Sequence, residues 1–255
     1  MSRPYVVNFH EHPSAAVPQR CHDLGVDMAV LLPVGPDAAA LARDMAEAEP
    51  HRYVAFHWVD TGADPDEEAR RLRRVAARAG IRGVKFQPMD QHLFPNDRRL
   101  YPIFEVCEEL GLVVTFHMGT VYLGPYMQEM GVPMLAKYCD PIYLDEVAFD
   151  FPDLRLCLAH LGGEHLYTAL VLCEKHRHVY VDTAFLGHFA PQFFPPTTPT
   201  ALIEHAVHVA GAEKVLYGCE GVPPEAVLES SLGADEQAKV LGLNACRLLG
   251  LPAGR

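Results

Sequence analysis

The stretch VVNFHEHP, residues 6–13, is the starting point for predicting the fold. Side chains alternate between the two faces of a β-strand, so a period of two predicts His10 and His12 on one face, together with Asn8. Pro13 ends the strand directly after them. Two imidazoles on one face of a rigid strand form half of a site for a first-row metal ion. The sequence therefore predicts a first strand with metal ligands at its carboxyl end.

Seven more strand-length apolar runs follow this strand. The eight predicted strands cover residues 5–12, 28–34, 53–60, 83–88, 112–119, 154–163, 179–185 and 215–221. Helical patterns lie between or after them, at residues 18–25, 37–49, 65–79, 98–110, 134–150, 164–176, 199–210, 224–232 and 235–249. Near-continuous hydrophobic runs are typical of parallel strands that are covered on both sides.

Eight strand–helix repeats predict an α/β fold, a single (β/α)8 TIM barrel that forms one domain over residues 1–255. A doubly wound open sheet is the alternative, but the first strand is not followed by the G-x-G-x-x-G motif of that fold. A Pro-rich stretch at residues 189–200 follows the seventh strand, where it would cover the active face of a barrel.

Composition narrows the range of partners. The formal net charge is −12 and no dense basic stripe is present, so nucleic acid is not an expected partner. The apolar runs are too short to span a membrane, and no signal peptide is apparent. Seven cysteines without a C-x-x-C motif are typical of a reducing cytoplasm. The expected partner is a small-molecule substrate, and a homo-oligomer such as a dimer stays open.

Titratable residues lie at the ends of several predicted strands. These residues are His10, His12, Lys85, His117, His160 and Glu220. In (β/α)8 barrels the catalytic groups lie at the carboxyl ends of the strands. Four histidines and a carboxylate at one rim suit zinc, or manganese and iron if the site is more open.

With these residues in place, the chain resembles the amidohydrolase superfamily, and in particular its amidohydrolase-2 branch of decarboxylases and lactonases. The motifs that carry the resemblance are HEH at 10–12, GVKFQP at 83–88, FHMG at 116–119, AHLGG at 159–163, YGCEGVP at 217–223 and GLNACRLLG at 242–250. The resemblance extends over nearly the whole chain in the right order. It implies a (β/α)8 barrel with one catalytic divalent metal ion, usually zinc.

The resemblance also implies roles for individual residues. His10 and His12 match the metal ligands of the first strand, and His117 matches the ligand of the fifth. Glu220 occupies the position of an aspartate that binds the metal and transfers a proton. His160 matches a histidine that acts as an acid or base beside the metal.

Two motifs depart from the family pattern. Asn8 stands where the family usually has aspartate, and Gly218–Cys219–Glu220 replaces the usual Gly-Ser-Asp. Glutamate keeps the charge but adds a methylene, so its carboxylate lies elsewhere unless the strand adjusts, and catalysis is sensitive to such shifts.

Lys85 and a group of aromatic residues are candidates for binding the substrate. Lys85 has three interpretations: an anchor for a substrate carboxylate, a carbamylated lysine that bridges two metals, or a lysine paired with Glu220 or Asp182. The other predicted substrate-binding residues are Trp58, Tyr122, Tyr126 and His188. The tyrosines would suit a flat or ring-shaped substrate.

Three functions are compatible with these residues. The first is a metal-dependent hydrolase of a small amide, lactone or related acyl compound, with Glu220 and His160 as catalytic groups. The second is a non-oxidative decarboxylase of a small aromatic or unsaturated acid. The third is a barrel that binds a ligand without turnover. No arginine lies at a strand end to hold a departing carboxylate, and this favours the hydrolase.

Overall fold

The computed structural model describes residues 3–77, 81–119 and 135–252. Eight parallel strands form one sheet in the order β1 to β8, and this confirms the predicted (β/α)8 barrel. The strands are β1 Val7–Glu11, β2 Met28–Leu31, β3 Tyr53–Trp58, β4 Ile81–Phe86, β5 Val113–Phe116, β6 Arg155–Leu158, β7 Val179–Asp182 and β8 Val215–Leu216. The N–H of Phe9 donates to the carbonyl of Tyr217 at 2.7 Å, which joins the first strand to the end of the last.

Helices follow the strands around the barrel. They are α1 Val17–Asp23, α2 Pro36–Ala48, α3 Pro65–Ala76, α4 Pro88–Gln91, α5 Tyr101–Leu110, α6 Leu144–Asp150, α7 Leu166–Lys175, α8 Leu186–Phe189, α9 Pro199–Ala210, α10 Glu225–Leu228, α11 Ala234–Ala238 and α12 Asn244–Leu249. A π-helical segment, Lys239–Leu243, joins the last two helices. None of the described helices is long and apolar enough to cross a membrane.

The helix ends follow from local sequence. The carboxylate of Asp64 accepts the N–H of Glu67 at 3.0 Å and so caps α3, whose first residue is Pro65. At the other end of a helix, Gly111 terminates α5 with a φ of 64°, a conformation that glycine adopts without a steric penalty.

The strands separate two apolar layers. One layer packs between the strands and the helices and includes Ala29 and Leu31 of β2. The other includes residues that fill the barrel, among them Phe9, Val30 and Phe56. Consecutive side chains of one strand therefore point into different layers, as the alternation of a β-strand requires.

The first strand departs from the predicted alternation. Asn8 pairs with Ala29 and Glu11 pairs with Leu31, so β1 advances three residues while β2 advances two. This extra residue is a β-bulge, and it moves Asn8 and Glu11 to the outer face of the barrel. The prediction that Asn8 shares a face with His10 is therefore wrong in its detail, because it assumed an unbroken period of two.

The helix predicted over residues 134–150 is also shorter than expected. In the described part, two short 3₁₀ segments, Ala136–Tyr138 and Pro141–Tyr143, precede α6. Asp140 accepts the N–H of Ile142 at 3.0 Å and so starts a new helical segment beside Pro141. Along residues 189–200, Phe189 is buried and its ring lies 6.3 Å from that of His160, between centroids, whereas Phe194 is 99% exposed.

Candidate active site

The candidate site lies at the carboxyl ends of the strands, where the backbone comes unusually close to itself. A Cβ atom on Gly163 would lie 2.6 Å from Cα of Gly119. The chain segments that follow β5 and β6 can therefore come this close only because both positions are glycine. A Cβ atom on Gly218 would lie 3.0 Å from Cβ of His10. These contacts bring the first, fifth, sixth and eighth strand ends together.

His10 is fixed by a carboxylate from the seventh strand. Its Nδ1 lies 2.8 Å from Oδ2 of Asp182, and both side chains are fully buried. Because a carboxylate only accepts, Nδ1 carries the proton and Nε2 presents a lone pair. Burial, followed by the charge of Lys85, places the pKa of His10 well below its ordinary value, so the ring is neutral. A neutral imidazole with a free Nε2 is the form that binds a metal ion.

His160 reaches the same site through an unusual backbone conformation. Leu156 and Leu158 belong to the outer layer, so strand parity would have directed His160 away from the site, and the parity argument for it is wrong. Instead, β6 ends at Leu158 and His160 adopts a φ of 62°. Its N–H donates to Oδ1 of Asp182 at 2.9 Å, so Asp182 orients both His10 and His160.

A chain of hydrogen bonds also fixes His117. Nδ1 of His160 lies 3.1 Å from the carbonyl of Ala184 and must donate to it. Nε2 of His160 therefore accepts, and its partner at 3.1 Å is Nδ1 of His117. As a result Nε2 of His117 presents its lone pair. The pKa values of both rings lie well below the ordinary value, chiefly because of burial, so both are neutral.

Glu220 faces the two histidines of the first strand. Its carboxylate oxygens lie 3.9 Å from Nε2 of His10 and 3.8 Å from Nε2 of His12. Nδ1 of His12 is held by the carbonyl of Leu32 at 2.9 Å, so its Nε2 also presents a lone pair. Burial raises the pKa of Glu220 to about 7, against an opposing effect of the Lys85 charge.

Lys85 lies in the barrel interior and is fully buried. Its Nζ has no hydrogen-bond partner among the described residues. Burial lowers its pKa to about 8, although the charges of Asp182 and Glu220 act in the opposite direction. Thr115, its neighbour in register on β5, is also fully buried. An unpartnered buried ammonium is costly, so this position is suited to an anion that arrives from outside.

The donor atoms of the site fit a divalent metal ion. Three buried atoms without a partner in the described ranges are Nε2 of His10, Nε2 of His117 and Oε2 of Glu220. Native proteins rarely leave such atoms unsatisfied, and two neutral imidazoles with a carboxylate are typical zinc or manganese ligands. Distance alone selects a slightly different set, because His10, His160 and Glu220 have ligand atoms within 4.8 Å of one another. The hydrogen bond between His160 and His117 favours His117 as the ligand, with His160 behind it.

The ligand set His10, His12, His117 and Glu220, with His160 and Glu220 as catalytic groups, stays a prediction. Of the predicted substrate-binding residues, Trp58 is half-buried and pairs in register with Lys85. The ring of His188 lies against that of Phe185, with 4.7 Å between centroids and a tilt of 34° between the ring planes. Phe185 in turn lies 5.9 Å from His160.

Two of the predicted substrate-binding residues, Tyr122 and Tyr126, lie outside the described residues. In contrast, the orienting role of Asp182 was missed by the sequence analysis, which considered this residue only as a partner of Lys85. Its position at the end of β7 was the available signal.

Comparisons with known proteins give the family and the fold of this chain. A family model described as amidohydrolase matches residues 18–251. The 2-amino-3-carboxymuconate-6-semialdehyde decarboxylase of Dictyostelium discoideum is 28% identical over 111 residues, which are 40% of this chain and 31% of that protein. The chain thus spans about a third of the length of this relative.

Two solved structures share the fold. A TIM-barrel protein of Bordetella bronchiseptica has a TM-score of 0.73 at 21% identity, over 95% of this chain and 86% of that chain. The 5-carboxyvanillate decarboxylase of Novosphingobium aromaticivorans, in complex with manganese and a nitrobenzoic acid, has a TM-score of 0.69 at 17% identity, over 94% of this chain and 81% of that chain. Because the family model covers most of the chain, the protein belongs to the amidohydrolase family.

Proposed function

We propose that this protein is a metal-dependent, non-oxidative decarboxylase of a small aromatic or unsaturated carboxylic acid. The partial relative in Dictyostelium discoideum is a decarboxylase, and one solved structure with the same fold is a decarboxylase with bound manganese. These similarities favour the second of the functions considered from the sequence over hydrolysis of an acyl compound.

The observation that carries the proposal is that Lys85 and Glu220 each have a buried polar atom without a hydrogen-bond partner in the described residues. Lys85 supplies a buried ammonium without a hydrogen-bond partner in the described residues, and Glu220 has a carboxyl oxygen in the same condition. The charge of each influences the pKa of the other, so the two groups lie within electrostatic reach. A substrate carboxylate would satisfy the ammonium, and it becomes uncharged carbon dioxide when the reaction is complete. The ammonium of Lys85 therefore binds the charged substrate more strongly than the uncharged product.

Glu220 is better placed than His160 to donate a proton. Both ring nitrogens of His160 are engaged, one by Ala184 and the other by His117. The side chain of Glu220 is 32% exposed, so it is open to the pocket. Burial raises its pKa to about 7 in the metal-free protein, so this carboxyl can carry a proton and give it up near neutral pH.

A metal ion held by His10, His12 and His117, with Glu220 as a more distant fourth partner, would supply positive charge that orients the substrate and withdraws electrons from it. In the proposed reaction, Glu220 gives its proton to the carbon that bears the carboxylate. The bond between that carbon and the carboxylate then breaks, its electron pair returns to the conjugated system, and carbon dioxide leaves. The Glu220 carboxylate takes up a proton from solvent, so the sum is an acid that becomes carbon dioxide and the protonated parent compound.

The test is an assay for carbon dioxide release. Purified protein, loaded with Zn²⁺ or Mn²⁺, is incubated with a panel of hydroxybenzoates that includes 5-carboxyvanillate, and in parallel with a panel of lactones and amides. We expect carbon dioxide from at least one acid. Glu220→Gln should reduce kcat by roughly 100-fold or more. Lys85→Met, similar in size but uncharged, should reduce kcat/KM by roughly 10- to 100-fold, the value of a hydrogen bond to a charged group.

Hydrolysis of a lactone or amide without carbon dioxide release from any acid would overturn the proposal in favour of the hydrolase. Decarboxylation at full rate by Glu220→Gln would remove Glu220 as the proton donor. Full activity of Lys85→Met would show that Lys85 does not hold the carboxylate.

A further inference from the structure

Asn8 and Cys219, which belong to the two departures from the family pattern, contact each other. Nδ2 of Asn8 lies 2.8 Å from Sγ of Cys219, although 211 residues separate them in sequence. Both side chains are buried, on the outer side of β1 and at the end of β8. Because they touch, the two departures form one structural feature rather than two independent changes.

Asn8 uses its amide oxygen to tie the two strands together. Oδ1 accepts the backbone N–H of His10 at 3.0 Å and the backbone N–H of Cys219 at 2.9 Å. Cys219 directly precedes Glu220, so one amide oxygen fixes the backbone of one candidate metal ligand and the neighbour of another. The bulge in β1 interrupts the regular hydrogen bonds between backbone groups of neighbouring strands. The side-chain oxygen of Asn8 replaces the backbone acceptor that is missing at this point.

The amide nitrogen of Asn8 makes the second half of the arrangement. Nδ2 donates to Oε2 of Glu11 at 3.1 Å. Arg20 of α1 holds the other carboxylate oxygen of Glu11, and the thiol of Cys219 lies 3.6 Å from Oε2. Glu11 is 5% exposed, so its carboxylate needs donors on every side.

This arrangement explains why position 8 is asparagine. Aspartate could accept from the two backbone N–H groups, but it has no donor for Glu11. It would instead place a second carboxylate about 3 Å from the first in a buried site, where like charges are strongly unfavourable. The bulge would then be held by a repulsive pair.

We propose that Asn8, Glu11 and Cys219 form a positioning cluster that fixes the β1 bulge and so aims His10, His12 and Glu220 at a common metal ion. The cluster acts through other residues and does not contact the metal itself. The proposal rests on the proposed metal site, and it assigns a specific role to the residues in which this chain departs from its family.

The experiment measures zinc affinity by competition with a chromophoric chelator, using the full chain. Asn8→Asp should weaken Zn²⁺ binding by roughly 10- to 100-fold, the usual effect of losing an orienting partner. The double variant Asn8→Asp/Glu11→Gln reverses the hydrogen bond, because the introduced glutamine can donate to the introduced aspartate while the glutamine oxygen still accepts from Arg20. We expect this variant to recover zinc affinity to within about 3-fold of the wild type, a coupling that independent sites would not show.

The control is Asn96→Asp. Nδ2 of Asn96 donates to Oε2 of Glu146 at 2.8 Å, so the same chemical change is made beside a glutamate near the surface. This variant should bind Zn²⁺ as the wild type does.

Zinc affinity of Asn8→Asp equal to that of the wild type would overturn the inference, as would a double variant that binds no better than Asn8→Asp. If Asn8→Asp does not fold, a folded, zinc-binding double variant supports the cluster, and an unfolded double variant refutes it. A wild-type protein that binds no Zn²⁺ or Mn²⁺ would instead remove the metal site on which the proposed function depends, so the two failures are distinct.

Discussion

Two buried histidine–carboxylate pairs in this barrel look almost alike. His10 and Asp182 are 2.8 Å apart with neither side chain exposed, and His57 and Glu68 are 3.0 Å apart with side chains 1% and 2% exposed. Each histidine has a second ring nitrogen without a hydrogen-bond partner in the part of the chain that the structure describes. Judged by burial and hydrogen bonding alone, either pair could belong to an active site.

The two pairs differ in what surrounds them. His57 points from β3 toward α3, where Glu68 also accepts the N–H of Asp60 and lies 3.4 Å from Arg71. In contrast, the free nitrogen of His10 faces Glu220. Within the described ranges, the cluster of three possible metal-binding side chains forms around His10. A buried pair alone therefore does not indicate a site; the convergence of several unsatisfied donor atoms does.

The largest effect should come from removing the free ring nitrogen of each histidine while keeping its bond to the carboxylate. His10→Asn retains a donor near the position of Nδ1, and His57→Gln retains one near Nε2. Zinc affinity, measured by chelator competition, should fall by more than about 100-fold in His10→Asn, because a ligand is lost and not merely an orienting partner. In His57→Gln it should not change.

Equal losses in the two variants would show that both act through the stability of the fold. No loss in His10→Asn would mean that the metal, if bound, uses other ligands.

Much of the fold could be predicted because it depends on local and repeated features. Eight apolar runs separated by helical patterns are visible in the sequence, and each became a strand of the barrel. The candidate site residues were placed at strand ends because parallel barrels bring those ends together. Such an argument needs only the strand order, and it does not require the orientation of any side chain.

Orientation could not be predicted, because it depends on distant contacts. The bulge in β1 is held by Asn8 and Cys219, 211 residues apart, so no local period reveals it. His160 enters the site through a left-handed backbone supported by Asp182 of the next strand. In both cases the reason given for the orientation of the side chain was wrong, and the role of the residue stays a prediction.

A smaller effect is expected from changing the carboxylates of the two pairs. In Asp182→Asn the amide oxygen can still accept from His160 and Ala184, but the amide nitrogen then faces Nδ1 of His10. Two donors cannot face each other, so His10 must move its proton to Nε2 and lose the lone pair there. Zinc affinity should fall by roughly 10- to 100-fold.

The matched variant is Glu68→Gln. Its oxygen can still accept from His57 and Asp60, and its nitrogen is directed at the half-exposed Arg71, which is free to move. Zinc affinity should stay at the wild-type value. Equal zinc affinity in Asp182→Asn and the wild type would show that Asp182 does not determine the tautomer of His10.

The smallest expected effect is on the free energy of unfolding. It distinguishes the carboxyl group of Glu220, beside His10, from that of Glu68, beside His57. Burial alone would raise the pKa of Glu68, but hydrogen bonds from His57 and the N–H of Asp60 lower it overall. Glu220 has no such donors among the described residues, so burial raises its pKa to about 7. The folded, metal-free protein therefore keeps a proton on Glu220 that the unfolded chain releases above its ordinary value of about 4.5.

Stability of the metal-free protein should accordingly fall as pH rises from about 4.5 to about 7, and Glu220→Gln should abolish this part of the loss. The difference in the free energy of unfolding between Glu220→Gln and the wild type, from urea titrations in the presence of a chelator, should shift in favour of the variant between about pH 5 and about pH 8. After allowance for the partial exposure of Glu220, the expected shift is about 1–2 kcal/mol.

Glu68→Gln should show no shift over the same range, because the lowered pKa of Glu68 leaves it ionised throughout. A constant difference for Glu220→Gln would mean that Glu220 is already ionised at the acidic end of this range, and it would remove the raised pKa as support for Glu220 as the proton donor.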